Sequence, residues 1–291
     1  MDYIYSILTL TGITMIGVMG TYMVTGLTGQ FSFGQAAFMA VGGYVSAMLA
    51  LKFNVPFVFA ALAGAAAATL SGLLVGLPTV RLRRDYISLV TFGFGEAIIS
   101  VLNNSAQLTG GAEGLVGIPK RVDLPLVAIS VACCIFVVAC YKNSKYGRQC
   151  LALRTDELAA RSMGIDVNRL KLVTFLFASA ITGYAGVLYA FYAQYLEPGY
   201  FNWTISAEWL IIVFVGGINS LTGALVSAAI LTSLPEMLRF ASAWRIIIYC
   251  VIVLLIINFR PNGIFGDWEI NRLWKKKNNE KQRTPGKGAQ A

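Results

Sequence analysis

Residues 142–171 read KNSKYGRQCLALRTDELAARSMGIDVNRLK, a long polar island between two strongly apolar segments. Hydrocarbon satisfies neither the charges of such an island nor the backbone of its turns, so it lies in water. Its pattern is that of a short helix, a glycine hinge at Gly164 and a second short element. The segments on either side belong in a membrane. The fold class that follows is an all-α polytopic integral membrane protein.

Composition agrees. The chain of 291 residues is 57% hydrophobic and 13% charged, where soluble domains carry about 25% charged residues. Working outward from the island, nine apolar segments are read at 4–26, 32–51, 56–78, 86–103, 125–141, 172–192, 203–217, 222–239 and 244–259. About nine transmembrane helices are expected, within a range of 8–10. Several segments fall short of the ~20 residues of a full span. The second, and the seventh with the eighth, are candidates for half-helices or re-entrant segments. Residues 1–266 are expected to form one membrane domain, and 267–291 a basic, disordered tail.

The net charge of +9 does not point to nucleic acid. Of 23 Lys and Arg, three lie in 81–84, seven in 142–171 and eight after Phe259. Basic residues gathered in alternate loops are the positive-inside signature. They put the island and the C-terminus in the cytoplasm and, with nine crossings, the N-terminus outside. The run 275–277 is also suited to touching anionic lipid. Cys133, Cys134, Cys140, Cys150 and Cys250 lack metal-ligand spacing and are expected to be reduced and buried.

No enzyme site stands out. The phosphate-loop pattern is missing, and there is no His to serve as base or metal ligand. No metal or cofactor is expected on this chain. Three acids fall at or near spans. Glu96, in the run TFGFGE, is the deepest; it is either a polar element of a path or gate, or a structural hydrogen-bonding residue. Glu208 and Glu236 are expected near span ends, in water. The stretch 29–38, GQFSFGQAAF, opens a polar glycine turn straight into an apolar helix. Ser32 and Gln35 there either face a path or, in the case of Ser32, cap the helix. The loop 108–119 is rich in glycine, with Gly110, Gly111 and Gly114 around Glu113. It is either a structured cap for a delivery protein or a compact turn, and the turn is the favoured reading. The small-residue run 64–68 and the pair Gly72 and Gly76 read as helix packing.

Six motifs occur in order: 29–38, 86–96 (YISLVTFGFGE), 109–119 (TGGAEGLVGIP), 154–190, 216–239 and 259–266 (FRPNGIFG). Together they resemble the branched-chain amino acid ABC transporter permease family, in its LivM-type rather than its LivH-type membrane subunits, over roughly 20–266. The resemblance implies an ABC importer permease in a bacterial or archaeal cell membrane, working by alternating access. Two ABC ATPases carrying ATP and Mg, a second LivH-type permease and an extracytoplasmic binding protein would be its partners. The motif ELAA with Gly164 marks the island as the coupling loop. Arg154, Glu157, Ala160, Gly164 and Asn168 are its candidate residues, with Arg154 and Glu157 on the ATPase surface and Gly164 turning between two short helices. Ser32, Gln35 and Glu96 are the path or gate candidates. Gly110, Gly111, Glu113 and Gly114 are the outer-loop candidates. Branched-chain amino acids are the expected cargo. The competing readings are an ion-coupled secondary transporter and a passive channel for a small solute such as urea or a short amide, both of which would work without ATP.

Overall fold

The computed structural model describes residues 2–82, 84–237, 244–260, 263–264 and 266. The expected tail over 267–291 and the side chain of Glu236 lie outside the described residues. Each of the nine apolar segments is a helix. They are α1 (Asp2–Tyr22), continuing as a π-helical turn over Met23–Leu27, α2 (Gln35–Phe53), α3 (Phe57–Thr79), α4 (Arg84–Asn104), α6 (Leu124–Asn143), α9 (Val167–Ala193), α10 (Trp203–Gly216), α11 (Leu221–Met237) and α12 (Arg245–Phe259). Three short α-helices, α5 (Ala106–Thr109), α7 (Lys145–Thr155) and α8 (Glu157–Ser162), and 3-10 turns at Gly111–Glu113 and Pro198–Phe201 complete the described set.

Among the described residues six helices are long and apolar enough to cross a membrane, and shorter apolar helices occupy 203–216, 221–235 and 247–256. The second segment is therefore not a half-helix. It starts late, at Gln35, but runs on through Lys52 to Phe53 for 19 residues, about 28 Å of helix.

The centre of the bundle is built from α2, α3 and α9, which meet with almost no side chain between them. A Cβ on Gly42 would strike the Gly183 carbonyl, and one on Gly186 would strike the carbonyl of Met39. On α3, Gly64 sits against Gly42, and Gly72 against Ser179. Lipid tails supply no hydrophobic drive between helices, so close backbone approach and dispersion hold them together. Gly64, Ala68, Gly72 and Gly76 are packing residues, as their spacing implies, while Ala66 between them is exposed. The cysteines are free thiols, but only Cys150 is buried; Cys133, Cys140 and Cys250 are exposed on outward helix faces. Outward faces of spans meet lipid, where a small thiol is at home, so burial was not required.

The two ends of the bundle differ. At the end opposite the island, the glycine-rich loop is a built cap rather than a plain turn. Leu115–Val116 pairs antiparallel with Tyr195–Leu196. Gly110, Gly111 and Gly114 all have left-handed φ, and Gly114 lies so close to the Leu196 carbonyl that no side chain fits. Tyr195 donates its hydroxyl to the Glu113 carbonyl oxygen at 3.0 Å, and Tyr44 donates to that of Leu196 at 3.0 Å. Those long-range bonds decide in favour of a structured cap. At the island end, the close of α1, the close of α6 and the turn between α10 and α11 converge.

Candidate functional site

The island folds as two short helices with a cap at each start. Ser144 accepts a bond from the Gly147 amide (3.3 Å) and opens α7. Asp156 accepts from the Leu158 and Ala159 amides (2.8 and 3.1 Å) and opens α8. Asp166 accepts from the Arg169 amide (3.1 Å) and opens α9. Each cap satisfies an amide that the helix leaves unpaired, worth about 1 kcal/mol. Asp156, not Gly164, is the junction between the two short helices. Gly164, at φ 76° with open space around it, turns α8 into the long helix α9. The position needs glycine for its backbone angle, not for room.

The charged candidates face inward. Glu157 Oε2 accepts from Lys171 Nζ at 2.9 Å and its Oε1 accepts from Arg161 at 2.9 Å. Lys171 is 2% exposed and Glu157 27%, so this ion pair closes the base of α8 against α9. Burial pushes the Glu157 carboxyl up, but the bonds and positive charges of Lys171 and Arg161 outweigh it and hold the group below its ordinary range. Asn168 is exposed and accepts from Arg161 at 3.5 Å. Ala160 is buried beneath them.

Arg154 reaches past the island into the bundle. Its guanidinium donates to the Gly26 carbonyl oxygen at 2.6 Å, to that of Ile218 at 3.5 Å, and to the side chain of Asn219. Lys142 donates to the Asn219 carbonyl oxygen at 2.7 Å and to the Tyr22 hydroxyl at 2.6 Å. Gly26 lies in the π-helical turn, where end carbonyls await cationic partners. One knot thus ties α7 to the end of α1 and to the α10–α11 turn. The C-terminal motif joins it, with the Ile264 amide donating to the Val215 carbonyl oxygen at 2.8 Å.

Among its exposed charged groups the island also turns apolar side chains outward. Leu158 is 78% exposed and Met163 83% exposed, both in or beside α8. These residues lie in a water-facing segment, where lipid does not explain them. Together with the exposed Arg161 they are the island's candidate docking residues. The run ELAARSM does show them, but not which apolar residues the bundle would take: Leu153 and Ala160 are buried, Leu158 and Met163 are not.

The expected path trio does not come together. Ser32 and Gln35 are fully buried in a broken stretch that leaves the π turn and starts α2 deep in the bundle. Gln35 Oε1 accepts from Thr182 of α9 at 2.9 Å. Ser32 accepts from the Gly34 amide at 3.4 Å, outside α2 itself. The start of α2 is bonded instead by Ser206 of α10, which accepts from the Ala36 amide at 2.9 Å. On α4 the residue that meets this stretch is Thr91, which accepts from the Phe33 amide at 3.1 Å. Glu96 stands apart on the exposed side of α4. The broken backbone is tolerated because protein surrounds it.

Glu208 is not at a solvated span end. It lies inside α10 and is half-buried, beside Trp209 and below a stacked pair, Tyr189 and Tyr200, whose ring centroids are 4.7 Å apart. These groups line a cavity of about 200 Å³ between α1, α2, α9, α10 and α11.

The family model described as branched-chain amino acid transport system, permease component, matches residues 3–257. The chain is 32% identical to the high-affinity branched-chain amino acid transport system permease protein LivM of Escherichia coli, over 89% of this chain and 69% of that protein. It is 23% identical to the corresponding permease protein LivH of Salmonella typhimurium, over 65% of this chain and 62% of the relative. A probable branched-chain amino acid transport permease protein LivM from Methanocaldococcus jannaschii is 24% identical over 68% of this chain and 66% of its own length. No solved structure matches the chain at a significant level.

Proposed function

Because the chain belongs to the branched-chain amino acid transport permease family, we propose that it is the LivM-type membrane subunit of an ATP-driven importer of branched-chain amino acids. A second permease, LivH-like, completes the membrane pair, and its partner status is supported by the likeness of this chain to both kinds of relative. Two ATPase subunits hold the ATP and Mg and supply the energy. An extracytoplasmic binding protein delivers the solute to the cap built on 110–116 and 195–201. The island and the C-terminus lie in the cytoplasm.

The observation that carries this reading is the division of labour in the island. Its apolar side chains Leu158 and Met163 point into water, while Glu157, Lys171 and Arg154 are bonded inward. A partner that grips α8 therefore moves α7 with it, through the short junction at Asp156. Arg154 then transmits the displacement to the end of α1 and the α10–α11 turn. Rigid elements joined by hydrogen bonds are a physical route for such coupling. Alternating access follows if the α10–α11 hairpin and α1 shift against the glycine-packed centre.

Mild-detergent purification of the tagged chain from its native cell tests the reading. Co-purification of an ATPase and a second permease, with leucine uptake that requires ATP after reconstitution, is the expected result. Leucine uptake by the chain alone, without ATP, overturns it in favour of a carrier or channel.

A further inference from the structure

The cavity beside Glu208 holds a carboxylate with nothing to answer it. Among the described residues Glu208 has no hydrogen bond and no ion pair. The Thr232 hydroxyl, on the same wall, is shielded from solvent and has no partner either. Thr14 of α1 also lines the cavity. A carboxylate within a span is costly and is kept where it faces a polar cavity or a partner. Buried charges are otherwise paired. Lys171, bonded to Glu157, follows that rule.

The remaining walls fit one kind of guest. Tyr189, Tyr200 and Trp209 present aromatic surface, and ring faces attract ammonium groups. A cavity of about 150 Å³ accepts benzene, so about 200 Å³ suits a small amino acid with a branched apolar side chain. The hydroxyls of Thr14 and Thr232 are donors for its carboxylate.

We propose that this cavity is a seat inside the membrane for the transported amino acid, with Glu208 receiving its α-ammonium group. The assignment rests on the permease reading above for the identity of the cargo. It places a selective contact in the permease itself: a solute without the ammonium group leaves Glu208 unanswered. Neutral amides without an amine would find no counterpart there.

Trp209 gives a direct readout that does not involve ATP. The full-length chain, purified with its partner permease, is titrated with leucine, leucinamide and N-acetyl-leucine while tryptophan emission is followed. Leucine and leucinamide both carry the ammonium group and give saturable changes; N-acetyl-leucine gives none. Trp209→Phe removes the signal. Glu208→Gln weakens the apparent leucine affinity at least tenfold, and Glu208→Asp retains a response. Size-exclusion profiles of the two variants separate a lost contact from a misassembled bundle. Equal responses to leucine and N-acetyl-leucine, wild-type affinity in Glu208→Gln, or a response to sodium chloride with none to leucine would each overturn the assignment. Failure of ATP-dependent uptake with these binding responses intact would count against the importer reading and leave the seat standing.

Discussion

The island end and the mid-bundle cavity treat polar groups in opposite ways. At the island end Glu157, Arg161, Lys171, Arg154 and Lys142 all have partners within the chain. In the cavity, Glu208 and Thr232 have none among the described residues. A satisfied charge holds architecture together, whereas an unsatisfied one is bearable where something else arrives to satisfy it. The apolar side chains invert the pattern. At the island Leu158 and Met163 are exposed, while around the cavity Trp209 is buried. Each region is thus incomplete in one respect: one lacks an apolar surface to lie against, the other a cation.

The strongest way to break this contrast is to unpair the paired end. Glu157→Lys removes the acceptor of a nearly fully buried lysine and adds a like charge beside it. Removing one partner of a buried pair costs about 3–5 kcal/mol. A marked fall in the detergent melting temperature is expected, together with loss of uptake; an unchanged melting temperature refutes the pair's structural role. Next comes Thr182→Val, which strips a donor from buried Gln35. Leaving such an acceptor unmet costs about 1–3 kcal/mol, readable by thermal unfolding.

Leu158→Glu with Met163→Glu sharpens the contrast from outside. Both positions are exposed, so the purified chain melts as wild type. ATP-driven uptake and ATPase co-purification fall at least tenfold. Thr232→Val is the quiet counterpart of Thr182→Val: it removes a hydroxyl that has no partner, and stability shifts by less than about 1 kcal/mol. A large loss there would mean that the hydroxyl is already structural. The last test is strong acid. Glu157 has a folded-state pKa below its ordinary value, about 4.3 in model peptides. Its contribution is therefore fully present above that value and is lost as pH falls through the lower, folded-state pKa. The island should loosen at acid pH before the α2–α3–α9 centre does, as amide exchange of α8 against α9 can record.

Much of this was legible in the chain. The nine apolar runs became helices because length and hydropathy leave a membrane segment few options. The island's polarity and the packing role of Gly64, Gly72 and Gly76 were likewise written locally. What escaped was tertiary. Gly164 and Asp156 exchange roles because the cap at Asp156 starts a new helix earlier than the glycine suggests. Glu208 sits near the start of a short apolar run, and only the approach of α1 and α11 encloses it. Glu96 lies in the middle of its run, yet the helix turns it outward while Thr91 turns in. Depth along a segment is visible in sequence; rotation about the helix axis is set by neighbours.

The glycine-lined contacts of α2, α3 and α9 carry a mechanical corollary. An interface with carbonyls seated against α-carbons has no register to slip into, since moving one residue along drives a side chain into backbone. Gly42 on Gly183 and Gly186 on Met39 lock in this way. The trio is then the stator of the machine. Spin labels on α2 and α9 should keep their separation through a turnover, and the stroke has to be taken up by α1, α10 and α11, swinging against a frame that cannot slide.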